Sequence, residues 1–163
     1  MSDDKKREIV RKILAWLYED WAHNQERGLG ALRKEEQWDK SDFDSVISRL
    51  KDAGLIENGD LTPDGVEYVE ANEIAPKSEI ERHKELRTKA LGFLDNLYQT
   101  DGSNARASVE EIARGCGLDM SDFFVDLRLL NLRGHVESVG ATQYRITESG
   151  RRYYLGADYE DII

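Results

Sequence analysis

This chain of 163 residues contains an internal repeat, and the repeat limits it to folds with two similar halves. A shift of 80 residues carries the segment LAWLYED at residues 14–20 onto LDNLYQT at residues 94–100. Beyond about residue 60 the shift becomes 85 and carries LTPDGVEY at residues 61–68 onto ITESGRRY at residues 146–153. The chain is therefore two copies of one unit, and the second copy has five extra residues before its last segment.

Local signals in the second copy predict three helices in succession. Ser78 and Ser108 are each followed three residues later by a glutamate, the spacing of a capping box that satisfies backbone N–H groups at a helix start. Ser121 is expected to cap the third helix, which ends before Gly134.

A hairpin and a closing helix are predicted at the end of both copies. In the second copy, residues 135–138 and 143–146 are strand candidates, and Thr147 is expected to cap the last helix. In the first copy, Asn58-Gly59 is typical of a tight two-residue turn, and Thr62-Pro63 begins the last helix.

The first copy has the same order of helices with weaker signals. Its helices are predicted over residues 4–21, 31–37 and 41–53, and Ala75-Pro76-Lys77 is the expected boundary between the copies. Together these elements predict a mainly α fold with small β-hairpins, of the α+β class. The predicted domains are 1–75 and 76–157, with an acidic tail at 158–163.

The composition excludes several classes of protein. Hydrophobic residues make up 39% of the chain, enough for a core, and no apolar run is long enough to span a bilayer. The chain has 23 basic and 33 acidic residues, and a net charge of −10 is the wrong sign for a protein that coats nucleic acid or anionic membrane. Cys116 has no second cysteine to pair with and MSDDKKREIVRKI is not a secretory signal, so we expect a cytoplasmic protein.

The sequence lacks the patterns expected of a catalytic or metal site. His23, His83 and His135 lie far apart, and no pair has the spacing of a helical metal site. His83 and Glu79 share a helix face and are expected to form a solvated pair. No phosphate-binding glycine loop, nucleophile elbow or paired-cysteine motif occurs, so we expect no enzyme activity, cofactor or metal.

Two segments of the second copy resemble the winged helix-turn-helix superfamily. They are SVEEIARGCGLDMSDFFVDLRLLNLRGHVE at residues 108–137 and YRITESGRRYYL at residues 144–155. In that family the first segment is the helix-turn-helix with its recognition helix, and the second is the outgoing wing strand with the closing helix. The first copy resembles the family through SDFDSVISRLKDAGLIENGDLTPDGVEYVE at residues 41–70. The resemblance implies two tandem winged-helix domains, the first with a short wing, in a superfamily of both DNA readers and protein-docking modules.

The outward face of the third helix indicates what each domain reads, because in this family that helix enters the major groove. In the first copy the helical wheel places Ser45, Ser48 and Arg49 outward, where they are candidate nucleic-acid contacts. Asp42 and Asp44 stand at the end of this helix that would meet the bases, and their carboxylates repel phosphate.

The corresponding outward positions in the second copy are apolar. They are occupied by Val125, Leu129 and Leu132. A helix that is apolar on two faces is normally buried on both, so we expect this stripe to pack against the first domain, another subunit or a partner. The alternative is three scattered exposed aliphatic side chains, which are common on protein surfaces.

The first helix of the first copy also has a wide apolar side. Trp16 and Trp21 extend it beyond the needs of a small three-helix core, which makes them candidates for an interdomain or dimer interface. The alternative is that the two aromatic side chains only thicken a small core.

The second copy carries most of the basic residues suited to phosphate contact. The candidates are Arg106, Arg114, Arg145, Arg151 and Arg152. Each has the alternative role of balancing a neighbouring carboxylate, which is common for surface charge.

Two functions remain open at the level of sequence. The first is a non-enzymatic protein of the transcriptional-regulator type that contacts DNA through arginines of the second domain, and the family's usual role favours it. The second is a tandem winged-helix docking adaptor that does not bind DNA directly, with a protein partner or a second copy as its target. The net charge and the apolar outward stripe favour the second.

Overall fold

The two copies fold as two units. The computed structural model describes residues 1–156, so the predicted tail at 158–163 lies outside the described residues. The units are Met1–Ile80 and Glu81–Ile163. The division between Ile80 and Glu81 lies five residues after the predicted boundary between residues 75 and 76. It falls inside a long helix that begins at Lys77.

Unit 1 has four helices and a minimal hairpin. Its elements are α1 (Asp3–Ala22), α2 (Leu29–Glu36), α3 (Lys40–Asp52), β1 (Ile56–Glu57), β2 (Asp60–Leu61) and α4 (Pro63–Ala71). The strands are antiparallel, and Asn58 and Gly59 turn between them with φ of 53° and 82°. Positive φ at both positions is what a tight hairpin turn requires, so the predicted turn is confirmed.

The core of unit 1 lies between α1, α3 and α4. Ile13, Val46 and Val69 are fully buried in it. The hydroxyl of Tyr18 donates a 2.9 Å hydrogen bond to Oε2 of Glu70, which satisfies a buried carboxylate and joins α1 to α4.

Up to residue 156, unit 2 has four α-helices and a three-stranded sheet. Its elements are α5 (Lys77–Asp101), β3 (Ala107–Ser108), α6 (Val109–Cys116), a 3₁₀ turn (Met120–Asp122), α7 (Phe124–Leu132), β4 (Val136–Val139), β5 (Gln143–Ile146) and α8 (Glu148–Leu155). All pairings are antiparallel in the order β3-β5-β4. Strand β3 was not predicted, because two residues are too short to show alternation.

The start of the third helix of unit 2 differs from the prediction. Ser121 does not cap it; instead the Asp119 N–H donates to Oδ2 of Asp122 at 3.2 Å across the 3₁₀ turn, and α7 begins at Phe124. The N-cap position of α7 itself is Phe123, which makes no side-chain capping hydrogen bond. The capping box at Ser108 and the cap at Thr147 are confirmed.

The core of unit 2 is a single cluster around α5. Its fully buried members include Ala90, Ile112, Phe123, Leu127 and Leu130. The described chain is thus mainly helical with two small antiparallel sheets, which confirms the α+β class.

One turn has the same geometry in both units. Thr62 Oγ1 donates to the carbonyl oxygen of Gly54 at 2.5 Å and accepts from the Gly65 N–H at 3.0 Å. The second unit repeats both distances with Thr147, Gly134 and Gly150. The repeat in sequence is therefore also a repeat in structure at the junction between hairpin and closing helix.

Candidate functional site

The outward face of α7 is the most distinctive surface of unit 2. Phe124 is 49% exposed and Leu132 is 65% exposed, with Arg128 exposed between them. Met120, in the turn just before the helix, is 45% exposed. Spaced by four residues, these side chains form a stripe on one side of the chain. We call Met120, Phe124, Arg128 and Leu132 the α7 stripe.

Apart from Asn131, the other residues of α7 are buried. Val125 is 6% exposed and Leu129 is 2% exposed, so only an arc of about 100°, from Asn131 to Leu132 on the helical wheel, faces solvent. Val125 and Leu129 are covered within the described chain, whereas Leu132 lies on this arc, so its predicted burial against another subunit or a partner stays a prediction. Sequence reasoning missed Phe124, since its equivalent in the first copy, Asp44, is simply an exposed charge.

The carboxylate of Asp126 connects α7 to α5. It is fully buried and receives a 2.9 Å hydrogen bond from Arg87 Nη1, while the other oxygen lies 2.8 Å from His83 Nδ1. Both partners belong to α5 and are themselves buried. The prediction that His83 is solvated is therefore wrong, because the side chain is buried against Asp126, a partner that sequence spacing does not reveal.

In unit 1 the outward face of α3 is open to solvent and mixed in charge. Ser45, Ser48 and Arg49 are exposed as predicted. Asp44 is also exposed, and Asp42 lies 3.2 Å from Lys5 in an ion pair. The outward face of α3 therefore presents Arg49, which could contact a phosphate, but it has carboxylates at the helix end that would approach the bases.

Three of the five candidate arginines of unit 2 form surface ion pairs. Arg114 and Arg152 each lie 3.0 Å from a glutamate one helical turn earlier, Glu110 and Glu148 respectively. Arg145 on β5 pairs with the opposite residue of β4, Glu137. Arg106 is exposed and makes no ion pair with a residue of the described range. Pairing of this kind contributes little to stability but neutralises the positive field that attracts phosphate.

Arg151 packs between α8 and α5 inside unit 2. Its Nε donates a 2.7 Å hydrogen bond to Oδ1 of Asp95, which is 2% exposed, and its guanidinium lies 4.0 Å from the ring centroid of Tyr98. Burial alone would lower the pKa of Arg151, but the hydrogen bond and charge of Asp95 outweigh it and raise the pKa. The side chain joins α8 to α5 and is not available as a surface contact.

Trp16 and Trp21 are half-buried within unit 1. The Arg27 guanidinium stacks 3.7 Å from the centroid of Trp16, and the ring of Trp21 lies 5.1 Å from that of Tyr18. Arg27 is also held by Asp20 at 2.5 Å. Both tryptophans therefore have intradomain partners, although neither is fully buried.

A cavity of about 620 Å³ opens between α1, α2 and the segment that leads into α5. Four glutamates line it together with Lys12 and His23. Lys12 lies 2.7 Å from Glu36, which raises the pKa of the lysine, and His23 lies 3.5 Å from Glu79. These pairs leave the cavity with a mixed wall and no convergent set of groups for catalysis.

The remaining reactive groups do not form a site. No cluster of three or more metal-ligating side chains occurs among residues 1–156. Burial raises the pKa of the Cys116 thiol, which disfavours the reactive thiolate. Within the same residues, no helix has both the length and the apolar character needed to cross a membrane.

Comparisons of the chain with protein-family models, with curated proteins and with solved structures found no match.

Proposed function

We propose that this chain is a non-enzymatic tandem winged-helix protein of the transcriptional-regulator type that acts by docking a protein through α7 rather than by reading DNA bases. The repeated order of three helices, a hairpin and a closing helix supports the winged-helix assignment. The matching turns at Thr62 and Thr147 support a common origin for the two units.

The composition of the α7 stripe carries the proposal. A helix that reads base edges presents side chains that donate or accept hydrogen bonds, such as arginine, asparagine or glutamine. The outward arc of α7 holds Phe124 at its start and Leu132 at its end, with the polar residues Arg128 and Asn131 between them along the chain. Large exposed apolar side chains on one stripe are typical of a protein interface.

The ion pairs of the arginines in unit 2 also favour protein docking over DNA binding. Arg145 and Arg152 are paired with glutamates, and Arg151 is built into the fold by Asp95. Phosphate binding by these residues would have to displace a carboxylate from each one. The net charge of −10 adds long-range repulsion of DNA.

A titration of labelled duplex DNA tests the proposal. A fluorescent random-sequence duplex is titrated with the protein at low salt, and the molar mass is measured by light scattering in the same buffer. We expect no binding at high protein concentration. Binding that weakens steeply with salt, and that is lost in a variant with alanine at Arg106, Arg114 and Arg152, would overturn the docking function. This variant keeps Arg151, so that the fold is preserved.

The outward face of α3 favours a second candidate function, phosphate contact by unit 1. Arg49 is exposed on the same side of α3 as Ser45 and Ser48 and makes no ion pair with another described residue. If α3 contacts DNA, Arg49→Ala should weaken binding to all sequences and lower the salt slope by about 1. An unchanged slope would remove this candidate.

A further inference from the structure

We infer that unit 1 binds a small organic cation, an amine with an apolar body, in the cavity of about 620 Å³ between α1, α2 and the start of α5. Every described residue that lines this cavity belongs to unit 1, so the site goes beyond the proposed docking function of α7 and does not depend on it. The ligand class follows from the apolar surface of the wall, from its excess of carboxylates and from one buried N–H that lacks an acceptor.

The cavity has the size and the apolar surface of a small-molecule site. Its volume falls within the range of about 300–1,000 Å³ that is usual for such sites. Ala15 and Trp16 contribute apolar surface from α1, Leu32 from α2 and Pro76 from the segment before α5. An aromatic or aliphatic group of a ligand would be removed from water against these side chains.

The charged groups of the wall favour a cation. The carboxylates that line the cavity are those of Glu19, Glu35, Glu36 and Glu79. Even with His23 protonated they outnumber the lining cations, Lys12 and His23. Lys12 is also shared, because its Nζ lies 2.7 Å from Glu36 and 3.3 Å from Glu8, which is outside the lining. The resulting negative potential attracts an ammonium group and repels a carboxylate or a phosphate.

Glu35 is the carboxylate best placed to bind the ammonium group. The other three lining carboxylates lie within 3.6 Å of a cationic side chain of the chain itself. Glu35 is exposed and forms no ion pair with another described residue. A ligand can therefore pair with Glu35 without displacing a partner that the chain already supplies.

The indole N–H of Trp16 gives the wall a buried donor. Nε1 of this side chain has no hydrogen-bond acceptor among the described residues. A buried donor without an acceptor is rare in native proteins, and a bound molecule that supplies the acceptor accounts for it. We therefore expect the ligand to carry an oxygen acceptor as well as its ammonium group.

A titration with tyramine, followed by nuclear magnetic resonance, tests the site. Tyramine has an ammonium group, an aromatic ring and a hydroxyl oxygen, and 4-ethylphenol is the matched compound without the ammonium group. We expect tyramine to shift the indole N–H resonance of Trp16 in a saturable manner and to bind at least about threefold more tightly than 4-ethylphenol. The resonances of Trp21 and Trp38 are internal controls, because neither side chain lines the cavity, and Trp16→Phe assigns the signals. An unshifted Trp16 resonance, or equal affinity for the two compounds, would overturn the inference.

A charge variant tests the role of Glu35. We expect Glu35→Gln to weaken tyramine binding by about two- to fivefold, because it removes the unpaired carboxylate. Glu67→Gln is the matched control, since Glu67 is exposed on α4, lies outside the lining and gives the same change in net charge. No effect of Glu35→Gln, or an equal effect of both variants, would contradict binding in the cavity.

A variant that fills the cavity tests its location. Ala15→Leu places a larger side chain in the lining and should weaken tyramine binding by about tenfold or more. Ala31→Leu is the control, because Ala31 is exposed on α2 and does not line the cavity. Unchanged Trp21 and Trp38 resonances show that the fold is retained, and if Ala15→Leu does not fold, the comparison of Glu35→Gln with Glu67→Gln decides. Tyramine binding by folded Ala15→Leu as tight as by the natural protein would exclude this cavity as the site.

Discussion

A Cβ atom on Gly150 would overlap the backbone carbonyl oxygen of His135, because the first turn of α8 lies directly against the chain that leads into β4. Gly65 has the same relationship with the carbonyl oxygen of Leu55 in unit 1. Leu55 and His135 correspond under the 80-residue shift, so both units need glycine here for close backbone approach.

Replacement of Gly150 by alanine should therefore destabilise the protein. We expect Gly150→Ala to lower the free energy of unfolding by about 1–3 kcal/mol, the usual cost of overpacking. Urea denaturation followed by circular dichroism measures it. Gly30→Ala is the control: a Cβ there meets nothing within 4 Å, so stability should be unchanged or rise by up to about 1 kcal/mol. Equal stability of both variants would contradict the close approach.

The buried carboxylate of Asp126 should be a major determinant of stability. Asp126→Asn removes the buried charge that pairs with the buried Arg87 guanidinium at 2.9 Å, and we expect a loss of about 3–5 kcal/mol in the free energy of unfolding. The control is Glu110→Gln, which removes an exposed ion pair with Arg114 and should cost less than about 0.5 kcal/mol. A loss no larger than that of the control would mean that Asp126 is not buried.

The two neighbouring arginines of α8 should behave differently. Arg151→Ala leaves the buried Asp95 carboxylate without its counter-charge, although the 2.6 Å hydrogen bond from Gln99 Nε2 remains, so we expect the free energy of unfolding to fall by about 3 kcal/mol. Arg152 is paired with Glu148 at the surface, and its replacement by alanine should change stability by less than about 0.5 kcal/mol. Chemical denaturation of the two variants side by side provides the measurement, and the reverse order would refute the structural role of Arg151.

Stability should depend on pH through His135. Burial and the charge of Arg133 lower the pKa of His135, so the unfolded chain takes up this proton at a higher pH than the folded chain. The stabilisation is full above the ordinary pKa of about 6.5 and is lost as pH falls from there toward the folded value.

His135→Leu, which installs the residue found at the matching position of unit 1, should therefore lose less stability than the natural protein between about pH 7.5 and about pH 5. The ring of His135 stacks 4.4 Å from that of Tyr153, so the variant is compared with itself at the two pH values rather than with the natural protein at one. Denaturant midpoints at both pH values provide the measurement. An equal loss in both proteins would mean that His135 is not the titrating group.

The predictable parts of the site were those that depend on local sequence. Ser45, Ser48 and Arg49 are exposed as the helical wheel of α3 indicates, because α3 is buried on only one side. The helical wheel of α7 singled out Val125 and Leu129 as apolar positions but did not identify the exposed stripe beside them. The width of the buried arc of a helix depends on the elements that pack against it, which the sequence of the helix does not show. Leu132 illustrates the limit, because an apolar residue type does not ensure burial.

Local signals were enough to establish the duplication, the α+β class and most helix ends, because capping, turn formation and helical periodicity act over a few residues. Only the tertiary structure shows which charged side chains are buried. Asp126 and Arg87 lie 39 residues apart, and Asp95 and Arg151 lie 56 apart. A charged side chain is stable inside a protein only when folding brings its partner to it, and no short stretch of sequence carries that information.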